Sequence, residues 1–184
     1  MFNELGILNG ATRIDIAVIN GDISGFELKS ERDTLERLPM QRDRYNLVLD
    51  RVSLVVAENH REKAMRLIPD WWGVWVAYPV TGGRVAVRQE RDASPNPALD
   101  AKSICSFLWR DEALAILERH KASRGVKSKP REALYQRLAQ ALPLDAIRHE
   151  VRTALKAREG WRVGRRSQQT IIKCQKIRDN ICYS

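Results

Sequence analysis

The sequence predicts an α/β protein: a mixed β-sheet core flanked by helices, with a helical appendage at its C-terminal end. Two observations carry this. Short β-branched and alternating runs fill residues 4–88, interrupted by helical stretches, and strands with helices between them build a layered α/β structure. Then Asp92 to Pro97 contains Ala-Ser-Pro-Asn-Pro, a linker by composition, and everything after it reads as helix. The chain thus divides into a core over 1–92, a basic helical appendage over 98–160 and a basic tail over 161–184.

Glu4 to Leu8 reads as the first strand. Arg13 to Ile19 alternates, with Ile14, Ile16 and Val18 on one side and Arg13, Asp15 and Ala17 on the other. Ile23 to Lys29 returns after Asn20-Gly21-Asp22, residues that tolerate positive φ and favour a hairpin. Two registers are open. A two-residue turn at Asn20-Gly21 sets Asp15 opposite Phe26. A three-residue loop pairs Ile19 with Ile23, Ala17 with Gly25 and Asp15 with Glu27. The second is preferred, because a one-residue slip flips every side chain and only this register puts Phe26 and Leu28 on the Ile14/Ile16/Val18 side.

Pro39 suits the first turn of a helix running to about Leu49, on which Gln41 and Tyr45 share a face. Ser53 to Ala57 reads as a central strand, Arg61 to Leu67 as a helix, Trp71 to Tyr78 as a strand, and Thr81 to Arg88 as a final hairpin. Beyond the linker the expected helices are Lys102 to about His120, Arg131 to Leu142 and Leu144 to Arg158, with Pro143 between the last two. Trp71, Trp72, Trp75 and Trp109 read more readily as packing than as base-stacking platforms.

In the preferred register Asp15 and Glu27 oppose each other at about 4.5–5.5 Å between Cβ atoms. Two carboxylates so close repel unless a cation lies between them. Hard oxygen ligands with room for water suit magnesium or manganese. Lys29, two residues past Glu27, shares that face, where it could orient a water or steady charge on a phosphate. A Glu-x-Lys in a strand is also common on solvated faces, so the chemistry rests on Asp15 lying in register.

Asp15, Glu27-Leu28-Lys29 and Gln41-x-x-x-Tyr45 together resemble the PD-(D/E)XK nuclease superfamily, with its restriction-endonuclease-like fold, and its RecB-type branch in particular. Blocks at 13–17, 27–30, 33–38, 69–73 and 108–112 resemble a family of small bacterial and phage nuclease-like proteins. The resemblance implies that Asp15, Glu27 and the Leu28 backbone carbonyl bind Mg2+ or Mn2+. It implies Lys29 as general base or electrostatic group, and Gln41 and Tyr45 as residues holding the site or the DNA backbone. That superfamily usually places an acidic residue on a helix before the first strand; here Glu4 stands nearest to that role.

Net charge is +9 and lopsided: residues 1–100 carry 13 basic and 15 acidic side chains, residues 101–184 carry 19 and 8. Such asymmetry suits a nucleic-acid backbone on the second half. The expected contacts are Arg13 and Ser30 beside the site, Arg124, Lys127, Lys129 and Arg131 around a basic loop, and Arg165 and Arg166 in the tail. The expected partner is nucleic acid, DNA first, with a homodimer or a partner protein also compatible.

No stretch approaches 18 uninterrupted apolar residues, and Met1 to Glu4 shows no secretory pattern, so a cytoplasmic protein without a membrane partner is expected. Cys105, Cys174 and Cys182 form no disulfide or zinc framework; His60, His120 and His149 are scattered surface or helix-end residues. The leading function is a metal-dependent deoxyribonuclease. The alternatives are an inactive nuclease fold that binds nucleic acid or a partner in phage–host conflict, and a purely structural protein.

Overall fold

The order of the strands along the chain is also their order in the sheet. The computed structural model describes residues 2–158. Its six strands are β1 (Phe2–Ile7), β2 (Thr12–Asn20), β3 (Asp22–Lys29), β4 (Arg51–Ala57), β5 (Gly73–Val80) and β6 (Arg84–Arg91). The pairs β1–β2, β2–β3 and β5–β6 are antiparallel, whereas β3–β4 and β4–β5 are parallel. Antiparallel neighbours need only tight turns, while parallel neighbours need a crossover. Those crossovers carry α1 (Leu38–Val48) between β3 and β4, and α2 (Arg61–Met65) between β4 and β5. The protein is thus the α/β mixed sheet with flanking helices that the sequence predicts.

The hairpin adopts the preferred register. Ile19 pairs with Ile23 and Ala17 with Gly25, and Gly21 turns the chain at φ 77°. Gly25 is needed for packing: a Cβ there would lie 2.5 Å from Leu49 Cδ1 and 3.3 Å from Ile14 Cγ2, so the end of α1 closes directly onto bare backbone.

One expectation about faces is corrected. Ile14 does not join Ile16, Phe26 and Leu28; it belongs with Ala17 to the large core, while Ile16 belongs to a small second cluster with Val55. The strict alternation of β2 breaks between them. The β1–β2 pairs run Phe2–Ala17 and Asn3–Ile16, then resume at Leu5–Ile14, and Glu4 in the skipped step has φ 53°. The break is shared by the partner strand, whose Phe2 and Leu5, three residues apart on either side of Glu4, both join the large core.

After the linker come α3 (Ala101–Cys105), α4 (Arg110–Arg119), α5 (Arg131–Ala141) and α6 (Leu144–Ala157). The single helix expected over 102–120 is therefore two. Trp109 is extended, at φ −71° and ψ 159°, and Glu112 Oε2 accepts its N–H at 2.6 Å, which starts α4 afresh. Buried residues from these helices (Ile104, Leu117, Leu138 and Val151 among them) join the strands' Leu54, Val56, Val74 and Val76 in one continuous core. The second cluster, by contrast, is built from strand residues.

The linker is anchored as well. Asn96 Nδ2 donates to the carbonyls of Asn46 and Leu49, both at 2.8 Å. Among the described residues no helix is long and apolar enough to cross a membrane. The tail over 161–184, with Arg165, Arg166, Cys174 and Cys182, lies outside the described residues.

Candidate active site

Glu27 and Lys29 end β3 on the face that the helices cover, because alternate residues of a strand share a face and Ile23 and Gly25 point there too. Both are buried, Glu27 at 2% exposure and Lys29 at 7%. Buried charges demand partners, and α1 supplies them from the facing side. Lys29 Nζ donates to Glu27 Oε1 at 2.5 Å and to Gln41 Oε1 at 3.0 Å. Gln41 Nε2 donates to the same Glu27 Oε1 at 2.6 Å. The Tyr45 hydroxyl lies 2.6 Å from Glu27 Oε2 and 2.7 Å from the Arg13 carbonyl. Its one proton serves the carboxylate better, since charged acceptors make the stronger bond.

Burial above all, then the charge of Glu27 and its hydrogen bond, pushes the Tyr45 phenol far above its ordinary pKa. Tyr45 is therefore a permanent donor. Behind it the Trp72 ring stacks at 6.1 Å between centroids, and Trp72 Nε1 donates to Asn46 Oδ1 at 2.9 Å. Trp72 is thus a core residue that backs the site. Trp109, 58% exposed, packs under the Arg158 guanidinium at 4.1 Å.

Asp15 comes from β2. The ladder ends at Ile16–Phe26, and one step on, the Asp15 carboxylate accepts the Leu28 N–H at 2.9 Å. Asp15, Glu27, Leu28, Lys29 and Gln41 all line one polar pocket of about 500 Å3, and so do Glu4 and Arg13. Asp15 and Glu27 bring two carboxylates to this pocket, the kind of oxygen donor that a hard divalent cation takes, and both Glu27 oxygens already accept hydrogen bonds from Lys29, Gln41 and Tyr45. Among the described residues no three His, Cys, Asp or Glu side chains converge as a metal cage. An ion held here would keep several waters, as magnesium does.

The pocket also holds residues to which the sequence reading assigns no role of their own: Thr12, Asp33, Arg37, Met40 and Arg44. The signal for three of them was available. Residues 37, 40, 41, 44 and 45 follow the i, i+3, i+4, i+7, i+8 pattern of one helical face, of which only Gln41 and Tyr45 were singled out.

The expected nucleic-acid contacts divide. Arg13 lines the pocket, with its guanidinium 3.6 Å from Glu4. Ser30 does not; its N–H and hydroxyl both bind Asp33 Oδ2, at 2.7 and 2.6 Å, and shape the loop after β3. Lys127 pairs with Glu118 at 2.7 Å, Arg131 lies 3.8 Å from Glu132, and Arg124 and Lys129 are exposed. None of these four lines the pocket. The start of α5 nevertheless reaches its rim, where Asn9 Nδ2 donates to Glu132 Oε1 at 2.9 Å, next to the pocket residue Gly10.

The sequence profile of the family described as Bacteriophage P4 protein cII matches residues 1–178. This chain belongs to that family. Protein cII of Enterobacteria phage P4 is 25% identical to it over 158 residues, which cover 86% of this chain and 59% of that protein. This cII-family chain therefore spans less than two thirds of that relative's length. No solved structure matches it.

Proposed function

We propose that this cII-family protein is a metal-dependent nuclease that hydrolyses DNA phosphodiester bonds. The observation that carries the reading is the convergence of Lys29, Gln41 and Tyr45 on the buried Glu27 carboxylate, with Asp15 in the same pocket. A buried ion pair adds little to stability compared with apolar packing of the same volume. A four-membered polar cluster opening onto a polar cavity is better explained by chemistry than by fold.

In this reading Asp15, Glu27 and the Leu28 carbonyl would hold Mg2+ or Mn2+, and the bound ion supplies a water of lowered pKa. Gln41 and Tyr45 fix the Glu27 carboxylate. Lys29, held between Glu27 and Gln41, presents a cation to the developing charge on the phosphate. The six-stranded mixed sheet, with β2 antiparallel and β4 parallel to β3, supports the likeness to the restriction-endonuclease-like core.

A second reading is an inactive nuclease fold that binds nucleic acid or a partner protein. One observation favours it: three protein donors already serve the Glu27 carboxylate, a self-contained arrangement.

The test is incubation of pure protein with linear, circular and single-stranded DNA, in magnesium, manganese or chelator, beside Asp15→Asn. Cleavage that needs metal and falls at least about a hundredfold in the variant is expected. Full cleavage by Asp15→Asn would sink the site assignment. A folded wild type that binds DNA without cutting it would establish the second reading.

A further inference from the structure

The pocket's strands carry Glu4, Asp15 and Glu27 together with Arg13 and Lys29, and the segment that faces them carries Asp33, Arg37 and Arg44. The two strand cations have acidic partners, Arg13 at Glu4 and Lys29 at Glu27. Arg44 binds only neutral oxygens among the described residues: its Nη1 donates to the Ala11 carbonyl at 2.6 Å and to Thr12 Oγ1. Those bonds tie down the turn between β1 and β2, where Leu8, Asn9 and Gly10 all have positive φ. Arg37 is exposed and makes no ion pair or side-chain hydrogen bond with any other described residue.

Arg37 stands four residues before Gln41 at the mouth of the pocket. A step of four residues along a helix is about 6 Å. Arg37, Gln41 and Tyr45 thus form a row running inward from the rim to Glu27. A strand bound with its scissile phosphate at the Glu27 and Lys29 end of the pocket would bring its neighbouring phosphate towards the outer end of this row. The fork of a guanidinium is suited to such a group.

We propose that Arg37 is a phosphate-binding residue for the nucleotide next to the reacting one, with Arg44 as a positioning residue that holds the pocket wall. The ligand is a phosphodiester of the DNA backbone. This rests on reading the pocket as a phosphodiester site.

The test is fluorescence anisotropy of a labelled 20-base-pair duplex and a labelled single strand with the full chain, in chelator, over a series of salt concentrations. Wild type, Arg37→Ala, Arg37→Lys and Arg66→Ala are compared. The control Arg66 follows α2, with a side chain 80% exposed, and does not line the pocket. Arg37→Ala is expected to weaken binding roughly tenfold and to reduce the salt slope by about one. Arg37→Lys should restore the slope, and Arg66→Ala should match wild type. Wild-type affinity and slope in Arg37→Ala overturn the proposal even if the protein cuts DNA. So does an equal loss in Arg66→Ala, which would mean diffuse charge, or no DNA binding by wild type. Binding that depends on Arg37, without cleavage in magnesium, upholds Arg37 as a backbone-phosphate contact and removes the nuclease reading.

Discussion

Glu27 and Lys29 are a buried pair whose members cannot be removed singly without cost. Lys29→Ala leaves a carboxylate at 2% exposure with only Gln41 and Tyr45 to serve it. Breaking one side of such a pair costs about 3–5 kcal/mol. Lys29→Ala should therefore lower urea stability by roughly 3 kcal/mol, whereas Glu27→Gln combined with Lys29→Met should recover most of it. A Lys29→Ala protein as stable as wild type would show that the pair is open to water. Tyr45→Phe removes a hydrogen bond to a charged acceptor and should cost about 1.5–3 kcal/mol by the same measurement. Cys105 is a quiet residue by contrast. Burial, with the charge of Asp100 second, pushes its thiol up to about 12, so it should resist alkylation in the folded protein.

At the scale of elements, strands and helices are locked by close contacts and a few ion pairs. A Cβ on Gly73 would meet Ser53 Oγ at 2.7 Å and the Ala93 backbone nitrogen at 2.9 Å. Gly73→Ala should displace the linker after β6 and cost about 1–3 kcal/mol. Gly25→Ala should cost less, because its nearest neighbour is the flexible tip of Leu49. Both are read from thermal or urea unfolding. Helices α4 and α6 are joined where Glu150 accepts from Arg119 at 2.5 Å and meets His120 Nε2 at 2.8 Å. Burial raises the Glu150 pKa, but the His120 hydrogen bond and the Arg119 charge outweigh it, so the folded value lies below the ordinary one. A depressed carboxylate pKa stabilises the fold above the unfolded value and loses that contribution as pH falls through the folded value. Melting temperature should thus drop more steeply below about pH 4.5 in wild type than in Glu150→Gln; parallel curves would show that the pair contributes nothing.

At the scale of the whole molecule, the sheet and the C-terminal helices share one core, and α3 packs on α1, which carries Gln41 and Tyr45. Asp50, 4% exposed, accepts the Ile23 N–H at 2.6 Å and Arg148 Nε at 2.6 Å, and Arg148 also reaches Asp22 at 3.4 Å. One arginine of α6 therefore clamps the hairpin that positions Asp15 and Glu27. Arg148→Ala should cost about 2 kcal/mol, less than a fully buried pair because its side chain is 26% exposed. A chain ending at residue 97 should lack a cooperative unfolding transition, since its core would lose Ile104, Leu117, Leu138 and Val151. A sharp transition in that fragment would show that the helices are an independent appendage.

The sequence alone determined the α/β class and the shared face of Glu27 and Lys29, and it preferred the observed hairpin register over one alternative, because these come from a period of two, a short turn and a linker of prolines. The same local rules placed Gln41 and Tyr45 on one face of α1. Only the tertiary structure decided that Glu27 and Lys29 are buried against that face, that Arg37 and Arg44 line the same pocket, and that Ile14 leaves its alternating set. It also decided the break of helix 102–120 at Trp109, whose N–H is taken by Glu112, which also pairs with Arg158. Apart from that local cap at Trp109, each of these turns on contacts between residues far apart in the chain, and a local period carries no information about which distant element will meet it. A strand's pattern states which side chains share a face; only packing states what that face is pressed against.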